Sequence, residues 1–193
     1  MKRLDQLKKH LKSGTVYRRA DLAKWSKSVD RHARELVEEG VLQKLRNGLY
    51  YCPTHSLFGT VPADDKQLVK SFLKDDDFLL TSPNAYNALG LGTTQLYNTR
   101  VVYNHKRHGV FELGGRKFDF RRKPRFPKKV TQEFLLVDLV NNLKSLAEDQ
   151  QMLRMKAREK AVQMEKAKLK QAVKKYANEA TKKYFEAVLN DAA

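Results

Sequence analysis

The sequence predicts an α+β fold, and three patterns carry that expectation. Segments with apolar residues three and four apart read as helices. Short runs that alternate polar and apolar residues around Gly or Asn-Gly read as hairpins. A long tail of Ala, Lys, Glu and Gln, nearly free of Gly and Pro, reads as further helix. At 193 residues the chain has room for one domain or two small ones with a real core.

The N-terminal fifty residues set out the first pattern. In MKRLDQLKKHLKSG, Leu4, Leu7 and Leu11 share a helical face, and Gly14 is the expected stop. TVYR is a short β-prone link, and RRADLAKW supplies a brief second helix burying Leu22 and Trp25. Ser28, after the Ser26-Lys27 turn, is the expected N-cap of a third helix. Its stripe is Val29, Ala33, Leu36 and Val37, ending at Gly40, while Asp30, Arg31, Arg34 and Glu38 face solvent. Trp25, Leu36 and Val37 are expected in the core. VLQKLRNGLYYCP follows, Val41–Pro53, alternating on both sides of Asn47-Gly48. Asn-Gly is the favoured pair of a two-residue type I′ turn, in which both central residues take positive φ. Leu45, Leu49 and Tyr50 or Tyr51 are expected to pack inward.

Three helices followed by a hairpin is the order of a winged helix-turn-helix, expected over residues 1–53. Such a domain lays its third helix in the major groove of duplex DNA, and its wing reaches the flanking backbone or minor groove. The groove-facing residues would be Lys27, Ser28, Arg31 and Arg34, with arginine able to contact guanine in bidentate fashion. Lys44, Arg46 and Asn47 on the hairpin suit phosphate or minor-groove contact. Glu35, Glu38 and Glu39 are unsuited to a DNA face and would sit at the far end of the helix.

The charge balance agrees with a polyanionic partner. Lys and Arg total 39 against 22 Asp and Glu, a net charge of +17. Nucleic acid, an acidic protein or an acidic surface would all satisfy it, as would lysines that merely solvate helices. A single cysteine, Cys52, excludes a disulfide framework within the chain and any Cys-rich zinc site. No apolar run approaches the roughly 20 residues that span a bilayer, and the N-terminus has no hydrophobic signal core. A soluble, cytoplasmic protein is expected.

THSLFGTVPADD reads as a loop and a boundary, so a second domain is expected over 60–193. A helix capped by Asp64 or Asp65 and carrying Leu68, Val69, Phe72 and Leu73 follows it. Phe78 to Leu80 is a buried strand, Ser82-Pro83 opens a short helix closed by Gly90 and Gly92, and β character resumes over Leu96 to Tyr103. VFELGGRKFDFRR is a hairpin turned at Gly114-Gly115. LGLGTT lacks the Gly-Lys-Ser/Thr ending of a phosphate loop and follows a helix instead of a strand. The middle third is thus a small α+β unit, and the rest is a C-terminal helical segment.

In that segment Phe134, Val137, Leu139 and Val140 give a broad apolar helical face. One long helix is expected to follow, broken near Asn178 before a last helix with Tyr184, Phe185, Val188 and Leu189. No heptad seam is sustained, which argues against a coiled coil.

Three stretches, RNGLYY, TSPNAYNALGLGTTQLYNTRVVYN and EFLLVDLVNNL, resemble the AbiEi-type antitoxins, the DNA-binding halves of bacterial abortive-infection toxin–antitoxin pairs. The resemblance covers nearly the whole chain; the lysine-rich tail departs from it. It implies an N-terminal domain that represses the operon promoter and a C-terminal domain that counteracts a nucleotidyltransferase-like toxin encoded next door. A protein-interaction module docking an acidic partner, or an RNA-binding protein using Tyr50, Tyr51 and the basic wing, are the alternatives. Oligomeric state stays open.

No catalytic constellation is legible. His10, His32, His55, His105 and His108 are scattered, and Cys52 has no activating pattern around it. Asp75-Asp76-Asp77 are consecutive, whereas a hard-cation site spaces its ligands. No cofactor, metal or enzymatic activity is expected.

Overall fold

The computed structural model describes residues 3–93 and 95–191. It is an α+β fold that closes with a helical segment. The chain divides into two compact units: Met1–Asp76 with Val110–Phe118, and Asp77–Gly109 with Asp119–Ala193.

The first unit runs α1 (Arg3–His10), β1 (Thr15–Arg18), α2 (Arg19–Leu22), α3 (Val29–Glu38), β2 (Gln43–Arg46) and β3 (Leu49–Cys52). It continues through β4 (Thr54–Ser56), β5 (Gly59–Val61) and α4 (Asp65–Leu73). Leu7, Leu22 and Leu36 are fully buried and meet Val29, Ala33 and Leu42 in one core. Each such leucine contributes roughly 1.5–3 kcal/mol by leaving water. Trp25 and Val37 are only half-buried at its edge, and Trp25 lies flat on His10 with centroids 4.9 Å apart. Helix α1 ends at His10, four residues before the expected stop at Gly14. Gly14 instead serves the turn into β1, and its N–H bonds the Cys52 carbonyl at 2.8 Å.

The strands β1, β3 and β2 form one antiparallel sheet with β3 central. The reversal between β2 and β3 is not the expected type I′ turn. Gly48 has φ +74, but Asn47 does not share a positive φ. The register passes from Lys44↔Tyr50 to Arg46↔Leu49, so Leu45 is an extra residue in a bulge. A bulge with glycine in the left-handed region is another way to match a turn to strand twist. A second correction concerns Thr54–Val61, read as loop: it forms the ribbon β4–β5, tied down where the Tyr51 hydroxyl donates to the Val61 carbonyl at 3.0 Å. Its tip, Leu57-Phe58, is fully exposed.

The remaining elements are β6 (Phe78–Thr81), a 3₁₀ helix over Pro83–Leu89, β7 (Arg100–Asn104) and the hairpin β8 (Gly109–Leu113) and β9 (Arg116–Arg122). The larger sheet has the order β6-β7-β9-β8. Strand β7 starts four residues later than the sequence suggests. The Asn84 side chain takes up both backbone groups of Tyr97, at 2.8 and 2.9 Å, leaving them none for a ladder.

Helix α5 (Gln132–Asn142), capped by the Thr131 hydroxyl, is the axis of the second unit. Seven consecutive residues, Phe134–Val140, are buried, so it is covered all round. Around it lie α6 (Gln150–Gln163), α7 (Lys166–Tyr176) and α8 (Glu179–Asp191). The expected single helix over α6 and α7 is broken at Met164, whose backbone is extended. A straight helix over 150–176 would run about 40 Å, past an α5 of about 16 Å; the break lets both halves pack on one core. The break near Asn178 is present, its side chain accepting from the Thr181 N–H. Among the described residues no helix is long and apolar enough to cross a membrane.

Candidate nucleic-acid interface

Helix α3 presents a charged outer face because Val29, Ala33 and Leu36 use up the inner one. Arg31 and Arg34 are exposed on it, and Lys27 is exposed in the preceding turn. Ser28 occupies the N-cap position as expected, but its side chain makes no capping hydrogen bond. Its backbone carbonyl accepts the first helical bond, from His32 at 3.0 Å.

His32 was read as one of five scattered histidines, yet it is buried on the inner side of α3. Its Nδ1 lies 2.7 Å from the Ser26 hydroxyl, which pins the turn between α2 and α3 to the helix that follows. Its place, three residues after Val29 and four before Leu36, was the signal that sequence reasoning passed over. Arg31 carries weaker restraints, 3.6 Å from Glu35 and 3.4 Å from the His32 ring. The acidic end of α3 is partly neutralised, Glu39 meeting Lys8 of α1.

Arg19 is a residue the sequence reading missed altogether. Its backbone N–H bonds the Gly48 carbonyl at 2.9 Å, and its guanidinium grips both Asp30 carboxylate oxygens at 2.6 Å. The turn of the hairpin and the start of α3 are therefore fastened to one residue. Both members of this pair are exposed. The hydrogen bond and charge of Arg19 hold the Asp30 carboxyl below the usual carboxylate range.

On the hairpin, Lys44, Arg46 and Asn47 are all exposed. Arg46 is not a loose arm: its guanidinium lies 5.1 Å from the Phe111 ring and 5.4 Å from the Phe72 ring. The two rings are themselves 5.1 Å apart. The Leu45 carbonyl accepts from the Gly114 N–H at 3.2 Å, so the turns β2–β3 and β8–β9 brace each other. Such a stack contributes roughly 0.5–1 kcal/mol at an exposed site. The Leu45 side chain is half-buried, and Leu49 and Tyr51 are buried, as the alternation requires.

The second unit holds a different polar constellation. Asp138, the acid within the apolar run of α5, accepts from the Tyr86 hydroxyl at 2.8 Å and the Tyr103 hydroxyl at 2.7 Å. Asn142 adds a bond at 3.1 Å and receives Arg121 at 2.7 Å. Burial pushes the Asp138 carboxyl up, against the pull of the two tyrosines. Burial likewise raises both tyrosine hydroxyls, and Asp138 adds to it. The pocket that touches this network, lined in part by Tyr103, Asp138 and Asn141, holds only about 10 Å³ of free space, and the network's donors and acceptors satisfy one another. Burial also raises the Cys52 thiol. Among the described residues no three His, Cys, Asp or Glu side chains gather where they could hold a metal ion.

No protein-family model matches the chain, and comparison with the curated proteins and the solved structures finds no match either.

Proposed function

We propose that this protein is a DNA-binding transcriptional regulator of the antitoxin kind, whose N-terminal helices and hairpin act as a winged helix-turn-helix. The observation that supports it is the Arg19 bracket. It fixes the start of α3, with Lys27, Ser28, Arg31 and Arg34, to the turn bearing Lys44, Arg46 and Asn47. A helix start and a wing held as one body are what groove reading needs, since phosphate contacts set the register and one or two arginines read bases. Arg31 and Arg34 are the base readers in this account, and the hairpin residues hold the backbone. The operon's own promoter is the expected site. The C-terminal domain, residues 60–193, counteracts a nucleotidyltransferase-like toxin, a role resting on the family resemblance.

Titration of the whole chain against duplex DNA from its own upstream region tests the first half. Log affinity should fall linearly with log salt, with a slope of roughly −4 to −6 for a handful of neutralised phosphates. Arg31→Ala should cost about 1–3 kcal/mol on the cognate site and flatten discrimination among sites. Absence of duplex binding at low salt would sink the reading. For the second half, an Arg31→Ala/Arg46→Ala chain should lose repression of a promoter reporter yet still protect cells during toxin induction. Loss of both together would show that neutralisation depends on DNA binding.

A further inference from the structure

The second unit carries a basic surface that the α3 account does not use. Six of the nine residues over 121–129 are Arg or Lys, and the turn after β7 reads His-Lys-Arg-His. No acidic residue occurs between Asp77 and Glu112, or between Asp119 and Glu133. The two basic segments are physically joined. The Lys123 N–H donates to the Asn104 carbonyl at 2.9 Å, and the His105 Nδ1 lies 2.9 Å from the Lys123 carbonyl.

Within this pair of loops the cations separate into two groups. Arg121 is turned inward, bound to Asp119 and Asn142, and Lys123 lies over the Tyr103 ring. His108, Arg122, Arg125, Lys128 and Lys129 are exposed. Between them an aromatic platform is built, with the His105 ring stacked on Phe126 at 4.7 Å between centroids. Asp77 steadies that imidazole from its edge, 3.3 Å from Nε2, and so leaves the ring face clear of the bond. Phe126 is half-buried and packs on the core formed by Leu79, Val101, Tyr103 and Phe134, which makes the platform rigid.

Cations flanking an exposed stacking face are the equipment for single-stranded nucleic acid: phosphates take the charges and an unpaired base takes the ring. A duplex keeps its bases stacked inside and offers such a ring nothing. Lysines that merely solvate a helix would not be set on two loops fastened around an aromatic pair. We propose that the paired loops His105–His108 and Arg122–Lys129 form a binding site for single-stranded nucleic acid, with His105 on Phe126 as its stacking platform. The site is independent of α3 and its arginines.

Fluorescence anisotropy of the full chain with labelled uridine and thymidine dodecamers tests this, with a duplex of equal length as the third arm. Wild type should bind the single strands with a log–log salt slope of roughly −2 to −3, at about −0.7 per phosphate neutralised. The variant Arg125→Ala/Lys128→Ala/Lys129→Ala alters exposed positions only. It should lose roughly tenfold or more in affinity at low salt, and its slope should fall by about 2. His105→Ala should weaken binding with the slope nearly kept, and His105→Phe, which retains a stacking ring, should restore it. Tighter binding of the uridine strand than the thymidine strand would mark RNA as the ligand; the reverse would mark DNA. The proposal is overturned if wild type fails to bind either strand, if the triple variant binds as wild type does, or if the triple variant loses duplex binding by the same factor.

Discussion

Helices α3 and α5 are nearly equal in length, ten and eleven residues, and they treat charge in opposite ways. In α3 the charges stand on the outer face, paired loosely along the helix at Arg31 and Glu35 and closely with α2 at Asp30, while a narrow apolar stripe holds the core. In α5 the apolar residues surround the axis, and one acid, Asp138, is enclosed with two tyrosines and an asparagine. The outer charges of α3 other than the clamped Asp30 stay in water, so a change of partner costs them little. The enclosed acid of α5 cannot change partners, so it fixes one arrangement of β7, the 3₁₀ helix and α5 around itself.

The largest difference between the two helices should appear on deleting an acid from each. Asp138→Ala leaves the Tyr86 and Tyr103 hydroxyls buried without their acceptor and opens a void, costing about 3–5 kcal/mol. Asp138→Asn keeps the shape and one acceptor and should cost about 1–2 kcal/mol. Asp30→Ala removes an exposed ion pair and should move the urea midpoint only slightly. Equal midpoint shifts for Asp138→Ala and Asp30→Ala would remove the distinction.

The pH dependence should differ in sign as well. Asp30 and Asp21 have carboxyls held below their ordinary values by Arg19 and Arg18, so they contribute stability above the unfolded-state value and lose it as pH falls. Asp138 is pushed up by burial, so the folded state binds its proton more tightly. Its contribution is most favourable at acid pH and diminishes as pH rises from the unfolded to the folded value. Asp138→Asn should therefore lose more stability than wild type on acidification. Tyr86 and Tyr103 act at the other end. Both hydroxyls are raised, so stability is retained below about pH 10 and then falls by about 1.4 kcal/mol per pH unit for each tyrosine. Denaturant midpoints measured across that range check both ends, and a flat alkaline limb would break the second claim.

The two helices also differ in how well their residues foretold them. For α3 the stripe, the Ser28 position, the outward Arg31 and Arg34 and the glycine after the helix were all legible, because amphipathic spacing is local. His32 was hidden only by its polar name. In α5 the burial of Phe134 through Val140 was half legible from the apolar run. The partners of Asp138 were not, since Tyr86 and Tyr103 lie 52 and 35 residues away and no pattern links them. The β4–β5 ribbon and the break at Met164 lacked local signals: the first contains one glycine and no strong turn pair, the second no Gly or Pro. Arg19 and the rings under Arg46 were invisible for the same reason as Asp138, being contacts made only on folding.

The smallest expected effect bears on the hairpin that accompanies α3, and it separates charge from placement. Arg46 contributes a positive charge wherever its side chain points, but the Phe72 and Phe111 rings hold its guanidinium in one place. On the proposed DNA-binding reading, Arg46→Ala should lower duplex affinity and reduce the salt slope by about 0.9, the share of one phosphate contact. Phe111→Leu keeps the charge and much of the apolar volume while removing one ring. It should cost up to about 1 kcal/mol of stacking, weaken duplex binding slightly and leave the slope near wild type. Arg46→Lys should behave in the same way, because an ammonium keeps the charge but lacks the planar, delocalised guanidinium that interacts well with ring faces. If Phe111→Leu reduces the slope as much as Arg46→Ala does, the rings control whether the contact forms at all. If neither change affects binding, Arg46 serves the packing of the two turns, and the proposed DNA contact of the hairpin falls to Lys44 and Asn47.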